Sequence, residues 1–140
     1  MNQLSDILRA KGRTVLRIEA DASALDAVKR MVEHNVGSLL VTDGAAVTGI
    51  VTERDYLCHV AHEGRSSTVR ELMTSPLIVA TPETSVEECM ALMTERRIRH
   101  LPVVENGEVA GMVSIGDVVK FQLDRREDEV RFLNDYIATG

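Results

Sequence analysis

The chain repeats itself once, 62 residues apart and without a gap. Asp21–Leu57 lies over Glu83–Val119, with Ser23 on Ser85, Met31 on Met93, Leu39 on Leu101, Val41 on Val103, Gly49 on Gly111, Val51 on Val113 and Asp55 on Asp117. Positions that differ mostly keep their polarity, as Val28 with Met90 and Thr52 with Ser114. A repeat of this length marks two copies of one supersecondary unit. One copy of about 60 residues buries only about 60% of its unfolded surface and is marginal alone. The copies are therefore expected to share a core, and 140 residues suffice for one compact domain.

That core must be aliphatic, because the chain has two Phe, two Tyr and no Trp. Its formal charge of −6 argues against a general nucleic-acid binder, which would carry a basic face. No apolar run approaches the ~18 residues of a membrane span. The start, Met1-Asn2-Gln3-Leu4-Ser5-Asp6, resembles neither a secretory signal nor an Arg-rich transit peptide, so a cytoplasmic protein is expected. Cys58 and Cys89 do not occupy equivalent repeat positions and are expected to act as small buried hydrophobes rather than as a disulfide.

Leu4–Lys11 reads as a short helix with Leu4, Ile7 and Leu8 on one face, stopped by Gly12. Thr14–Ile18 is a predicted strand. Ser23 then caps a helix whose stripe is Leu25, Val28, Met31 and Val32, with Asp26 as capping partner. Val36–Thr42 and Ala46–Val51 are strands joined by Asp43-Gly44, and Thr52 caps a helix to Ala61. The second copy predicts a strand over Leu77–Ala80 and a helix from Ser85, with Glu88 as capping partner and Val86, Cys89, Met90 and Met93 inward. The strands Ile98–Val104 and Val109–Val113 follow, joined by Asn106-Gly107, a hairpin signal. Ser114 opens a further helix. Glu63–Thr68 is a polar linker, and Val69–Met73 a short helix matching Leu4–Leu8 in role. The tail, Lys120–Ile137, is an amphipathic helix needing cover for one stripe. The expected fold class is α+β, a pseudo-two-fold pair of β-α-β-β-α repeats over residues 8–68 and 76–132, flanked by a short N-terminal helix and the C-terminal amphipathic helix.

The final strand-to-helix turns read Gly49-Ile50-Val51-Thr52-Glu53-Arg54-Asp55 and Gly111-Met112-Val113-Ser114-Ile115-Gly116-Asp117. Taken by spacing alone, Thr52-x-x-Asp55 and Ser114-x-x-Asp117 are capping boxes, of which Ser23 and Ser85 provide two more. Two features favour a ligand as well. The preceding glycines let another group approach the strand end, and a helix N-terminus offers free N–H donors to phosphate. Arg96, Arg97, Arg99 and His100 form the one basic cluster. Arg96 and Arg97 suit a helix C-terminus. His59 and His62 lack enough partners for a metal site, with only Cys58 and Glu63 nearby in sequence. No Ser-His-Asp or Cys-His arrangement is readable.

The β-α-β-β-α order, twice, with Gly-apolar-x-[Thr/Ser]-x-x-Asp at each turn and Ile98-Arg99-His100-Leu101-Pro102-Val103-Val104 as an apolar-Pro-Val strand, resembles a tandem cystathionine-β-synthase (CBS) domain pair of the stand-alone type. The resemblance covers about Leu8 to Leu123. It implies a regulatory module, not an enzyme, that binds adenine nucleotides in the inter-repeat cleft and reports energy or redox state. AMP, ADP and ATP are the expected ligands, with NAD(H) and S-adenosylmethionine as others, and no cofactor is required. It also implies a homodimer and a separate, unidentified target protein. Thr52 and Ser114 are then expected to hydrogen-bond phosphate or ribose, and Asp55 and Asp117 to accept from the ribose diol. Arg99 and His100 are expected on phosphate, where the first copy has uncharged Gly37 and Ser38, so the two sites should differ. Arg54 and Lys120 are placed either on phosphate or on the surface. Ile50, Met112, Val15 and Ile78 are the candidates for an apolar adenine slot. Two rivals remain: an interaction module with empty sites, or weak nucleic-acid binding through the basic cluster, and, less favoured, a nucleotide hydrolase.

Overall fold

A computed structural model describes residues 2–62 and 67–139. Of the expected linker, residues 63–66 lie outside the described residues, and Glu63 with them. The elements in order are α1 (Leu4–Lys11), β1 (Arg17–Glu19), α2 (Ala24–His34), β2 (Ser38–Asp43), β3 (Ala46–Thr52), α3 (Glu53–His62), α4 (Val69–Leu72), α5 (Val86–Arg96), β4 (His100–Glu105), β5 (Glu108–Ser114) and α6 (Ile115–Thr139). They form two compact units. The first-repeat unit is residues 14–78, and the second-repeat unit is residues 1–13 together with 79–140.

In the first-repeat unit β1 runs parallel to β2, and β2 antiparallel to β3. Leu39, Val41 and Val51 point from this sheet into a core completed by Ala20, Ala27, Met31 and Val69. The second-repeat unit reproduces the scheme at an offset of 62. The pair Val41↔Gly49 becomes Val103↔Gly111, and a bulge follows each, at Val41/Thr42 and Val103/Val104. Its first strand is reduced. Leu77–Ala80 is not a strand but a single parallel bridge, Ala80↔Val103, at the register of Ile18↔Val41. Pro76 and Pro82 bracket this segment and supply no N–H for a longer ladder. The second hairpin turns through Asn106 (φ 53°) and Gly107 (φ 78°), the two positive φ values that an Asn-Gly turn supplies.

Ser23 and Ser85 cap α2 and α5 by accepting from the N–H groups of Asp26 and Glu88, each at 3.0 Å. The buried positions of these helices are also repeat-equivalent: Ala24, Ala27 and Met31 in α2, and Val86, Cys89 and Met93 in α5. The expected α2 stripe is therefore corrected. Leu25 is 52% and Val32 75% exposed, because the small side chains of Ala24 and Ala27 face the core instead. Met90 is only half-buried. Cys89 is buried, and burial pushes its thiol up to about 11, so it serves as a small hydrophobe. Cys58 was expected to be buried too, but it is exposed, and both cysteines are free.

The lead-in helices dock at an offset of 65 rather than 62. Gln3 bridges Ser85 as Thr68 bridges Ser23. Leu4 N–H donates to Thr84 C=O at 2.9 Å as Val69 N–H donates to Ala22 C=O at 2.8 Å. So α1, which opens the chain, belongs with the second repeat, whereas α4 belongs with the first. Leu4, Ile7 and Leu8 are buried as their spacing predicts, and Gly12 (φ 100°) ends the helix.

The helix opened at Ser114 and the amphipathic tail are one continuous α6 of 25 residues. Its distal apolar side chains are uncovered within the chain, with Val130 at 56% and Ile137 at 74% exposure.

Candidate functional site

Both Gly-x-x-[Thr/Ser]-x-x-Asp turns sit where a hairpin's second strand passes into a helix. In the first-repeat unit β3 ends at Thr52 and α3 begins at Glu53. Thr52 N–H donates to Asp55 Oδ2 at 2.8 Å, Asp55 N–H donates back to Thr52 Oγ1 at 3.3 Å, and the Thr52 hydroxyl donates to the same Oδ2 at 3.1 Å. In the second-repeat unit Ser114 N–H donates to Asp117 Oδ2 at 2.8 Å and Asp117 N–H to Ser114 Oγ at 3.2 Å. Each turn is thus a reciprocal capping box. In both, the cap uses Oδ2, and Oδ1 carries none of the described bonds.

The glycines do admit a close neighbour, and it is the lead-in segment. A Cβ on Gly49 would meet Thr74 C=O at 2.7 Å and Met73 Sδ at 2.9 Å, and one on Gly111 would meet Leu8 Cδ2 at 2.6 Å. A strand glycine here marks close packing of protein on protein.

The second turn carries an ammonium as well. Lys11 Nζ, at the end of α1, donates to Asp117 Oδ2 at 2.6 Å and to Met112 C=O at 2.8 Å. Burial raises the Asp117 carboxyl. The Lys11 hydrogen bond, the Ser114 backbone N–H and the Lys11 charge together outweigh it, so the group titrates below its ordinary value. A carboxylate with a depressed folded pKa contributes stability above the unfolded value of about 3.9, and the contribution is lost as pH falls through the folded value. Lys11→Met is therefore expected to melt below the parent at pH 7, with the gap narrowing below about pH 5 and closing under strong acid. A gap that thermal denaturation shows unchanged at about pH 2 would assign it to something other than Asp117.

The other expected residues are placed as follows. His100 opens β4 directly across from Ser114, as Ser38 stands across from Thr52. Arg99 is exposed, and its carbonyl accepts from Ile115 N–H at 2.9 Å, so its backbone is tied to the first turn of α6. Gly37 does the same for Glu53 at 3.0 Å. Arg54 is exposed in the first turn of α3, and Lys120 is exposed in the second turn of α6. Arg96 ends α5, and Arg97 is its left-handed cap (φ 56°), in the place of Asn35 in α2. Ile50, Val15 and Ile78 are half-buried in the first-repeat unit, and Met112 is buried in the second. Lys11 escaped the reading of motifs because 106 residues separate it from Asp117. Beside α3 lies a cavity of about 470 Å³ lined by Asp55, Cys58, His59, His62 and Glu71, among others. His62 Nδ1 pairs with Cys58 C=O at 2.9 Å. No His, Cys, Asp and Glu group among the described residues is arranged to hold a metal ion, and no described helix is long and apolar enough to cross a membrane.

Comparison with known proteins agrees with this geometry. The CBS domain profile matches twice, over residues 4–62 and 69–124. The chain is 44% identical to the mitochondrial CBS domain-containing protein CBSX3 of Arabidopsis thaliana, over 98% of this chain and 72% of that protein. A putative signal-transduction protein with CBS domains from Burkholderia ambifaria superposes with a TM-score of 0.84 at 44% identity, covering 87% of this chain and 94% of that one. The CBS domain pair of protein MJ0100, solved in complex with 5-methylthioadenosine and S-adenosyl-L-methionine, superposes with a TM-score of 0.75 at 25% identity, covering 85% and 98%. With both repeats matched and both turns formed, the chain belongs to the CBS-domain family as a tandem pair.

Proposed function

We propose that this CBS pair binds an adenine nucleotide at its strand-to-helix turns and regulates a separate target protein according to which ligand is bound. AMP, ADP and ATP head the ligand class, with NAD(H) and S-adenosylmethionine as further members. The observation that carries the reading is that none of the described bonds uses Oδ1 of Asp55 or of Asp117. Each carboxylate spends one oxygen on its helix cap and keeps the other as an acceptor for a ribose diol. MJ0100 supports the ligand class, since both molecules in its complex are built on adenosine. Thr52 and Ser114 stand beside these carboxylates for further polar contacts. Arg99 and His100 are the phosphate contacts, joined by Arg54 and Lys120, and Ile50, Met112, Val15 and Ile78 offer apolar surface to adenine. Ligand that prefers one packing of the protein shifts its population, and the target reads the difference. The uncovered apolar side chains of α6 support self-association as a homodimer.

A second reading has an observation of its own. Every hydroxyl and carboxylate of the two turns already serves a cap, which suits a purely structural role in an interaction module. A thermal-shift panel on nucleotide-free protein with AMP, ADP, ATP, NAD⁺, NADH, S-adenosylmethionine and adenosine separates the two. Binding to the native state adds about 2.7 kcal/mol at a hundredfold excess over Kd. The nucleotide reading predicts a selective rise in Tm, and a flat panel supports the structural one.

A further inference from the structure

The two turns are alike in their caps and unlike in charge. In the second-repeat unit Lys11 is held by two bonds, to Asp117 Oδ2 and Met112 C=O. An ammonium has three N–H donors, so one remains for a third partner. The Lys11 side chain is 38% exposed, which leaves that donor accessible. His100 stands across from Ser114, and the Arg99 backbone is tied to Ile115. Lys11 thus reaches this turn with its side chain, and the backbone places His100 and Arg99 beside it. The 65-residue offset of the lead-in segments puts Pro76 in the first-repeat unit where Lys11 stands in the second, and the repeat puts Gly37 and Ser38 in the places of Arg99 and His100. Of the basic residues near the first turn's cap, only Arg54 lies within the motif itself.

We infer that Lys11 is a specificity-determining residue of the second-repeat site, its ammonium selecting ligands that carry an anionic phosphate over the uncharged nucleoside. The inference rests on the nucleotide-binding reading above. Lys11 comes from outside the repeat motif, on a helix that docks through Leu4, Ile7 and Leu8, so packing sets its backbone while Asp117 and Met112 hold its ammonium. Its pairing with Asp117 holds the ammonium beside the one carboxylate oxygen left for the ribose. A ligand seated on Oδ1 then brings its 5′ substituent within reach of the Lys11 ammonium, for which the first turn has Pro76 at the equivalent lead-in position.

The test titrates AMP and adenosine calorimetrically against Asp55→Ala protein, in which the first-repeat site is disabled, with Lys11, Lys11→Met or Lys11→Arg. A hydrogen bond to a charged group predicts a loss of about tenfold or more in AMP affinity for Lys11→Met, with adenosine changed less than about threefold, and substantial recovery of AMP binding in Lys11→Arg. Equal losses for both ligands would make Lys11 a structural support of the turn and overturn the inference. So would an unchanged ratio of the two affinities. If the Asp55→Ala parent binds neither ligand, the nucleotide reading of this site fails first and the inference falls with it. That result is distinct from binding that ignores residue 11.

Discussion

Leu8→Ala is expected to cost about 2–5 kcal/mol of stability and to weaken the second-repeat unit selectively. Leu8 is 1% exposed, and its Cδ2 lies 2.6 Å from where a Cβ on Gly111 would be, so the leucine fills the notch that the glycine leaves. The site cannot readily collapse around the loss. Leu4 and Ile7 on the same face are also buried, and the backbone is pinned by Leu4 N–H to Thr84 C=O and Ser5 N–H to Pro82 C=O at 3.0 Å. Denaturant unfolding gives the total cost. Hydrogen exchange locates it, with faster exchange expected in α1, β4 and β5 and little change across residues 14–78. Adding Gly111→Ala should return part of the loss, because the new methyl enters the vacated space, and a double-mutant cycle then shows coupling. A cost below about 1 kcal/mol, or independent effects of the two substitutions, would contradict the docking of α1 on this sheet.

Gly49→Ala is expected to be more damaging than Gly111→Ala, at about 1–3 kcal/mol or above. The obstacle at Gly49 is a backbone carbonyl, Thr74 C=O at 2.7 Å, and it is held in place. Ile50 N–H donates to that carbonyl at 3.1 Å, and Thr74 N–H donates to Ile50 C=O at 2.8 Å. To admit a methyl, two backbone hydrogen bonds must stretch or break. At Gly111 the obstacle is a leucine side chain, which has rotamers to try even in a packed site. The two substitutions sit at equivalent repeat positions, so their difference isolates the neighbour rather than the strand. Chemical denaturation of both variants checks the order. If Gly111→Ala proves the worse, the account of the lead-in contacts is wrong.

The repeat made most of the fold legible. Matched positions became matched structure down to the bulge after Val41 and after Val103, because one hydrophobic pattern imposes one register. The α1 face was legible from the helical spacing of Leu4, Ile7 and Leu8. The α2 face was not. Leu25 and Val32 have helical spacing, but apolar periodicity reports an apolar face and not which face meets the core. Here two alanines let α2 lie close to its sheet, and the larger side chains remain outside with Leu57 and Val60 of α3. The strand over Leu77–Ala80 failed because its prolines weigh more than its aliphatic residues. At the turns the sequence named the capping residues and their spacing, and the structure formed both boxes. The sequence also pointed to a close neighbour at each glycine, but that neighbour is Met73 and Thr74 or Leu8, drawn from the lead-in segments. Lys11 lay beyond reach, because no local rule joins the end of the first helix to a cap in the last.

The most direct test of the nucleotide reading is an equilibrium titration of nucleotide-free protein with AMP, beside the Asp55→Asn/Asp117→Asn double variant. Asparagine keeps a carbonyl oxygen to accept from Thr52 and Ser114 N–H, so the caps survive, but it removes the negative charge and the second acceptor oxygen. The account predicts saturable binding to the parent and a loss of about tenfold or more in the variant, which stays folded with a Tm lowered by the loss of the Lys11–Asp117 ion pair. Equal affinity in the two proteins, or no binding to the parent by any adenine nucleotide, would contradict it and leave the two turns as helix caps alone.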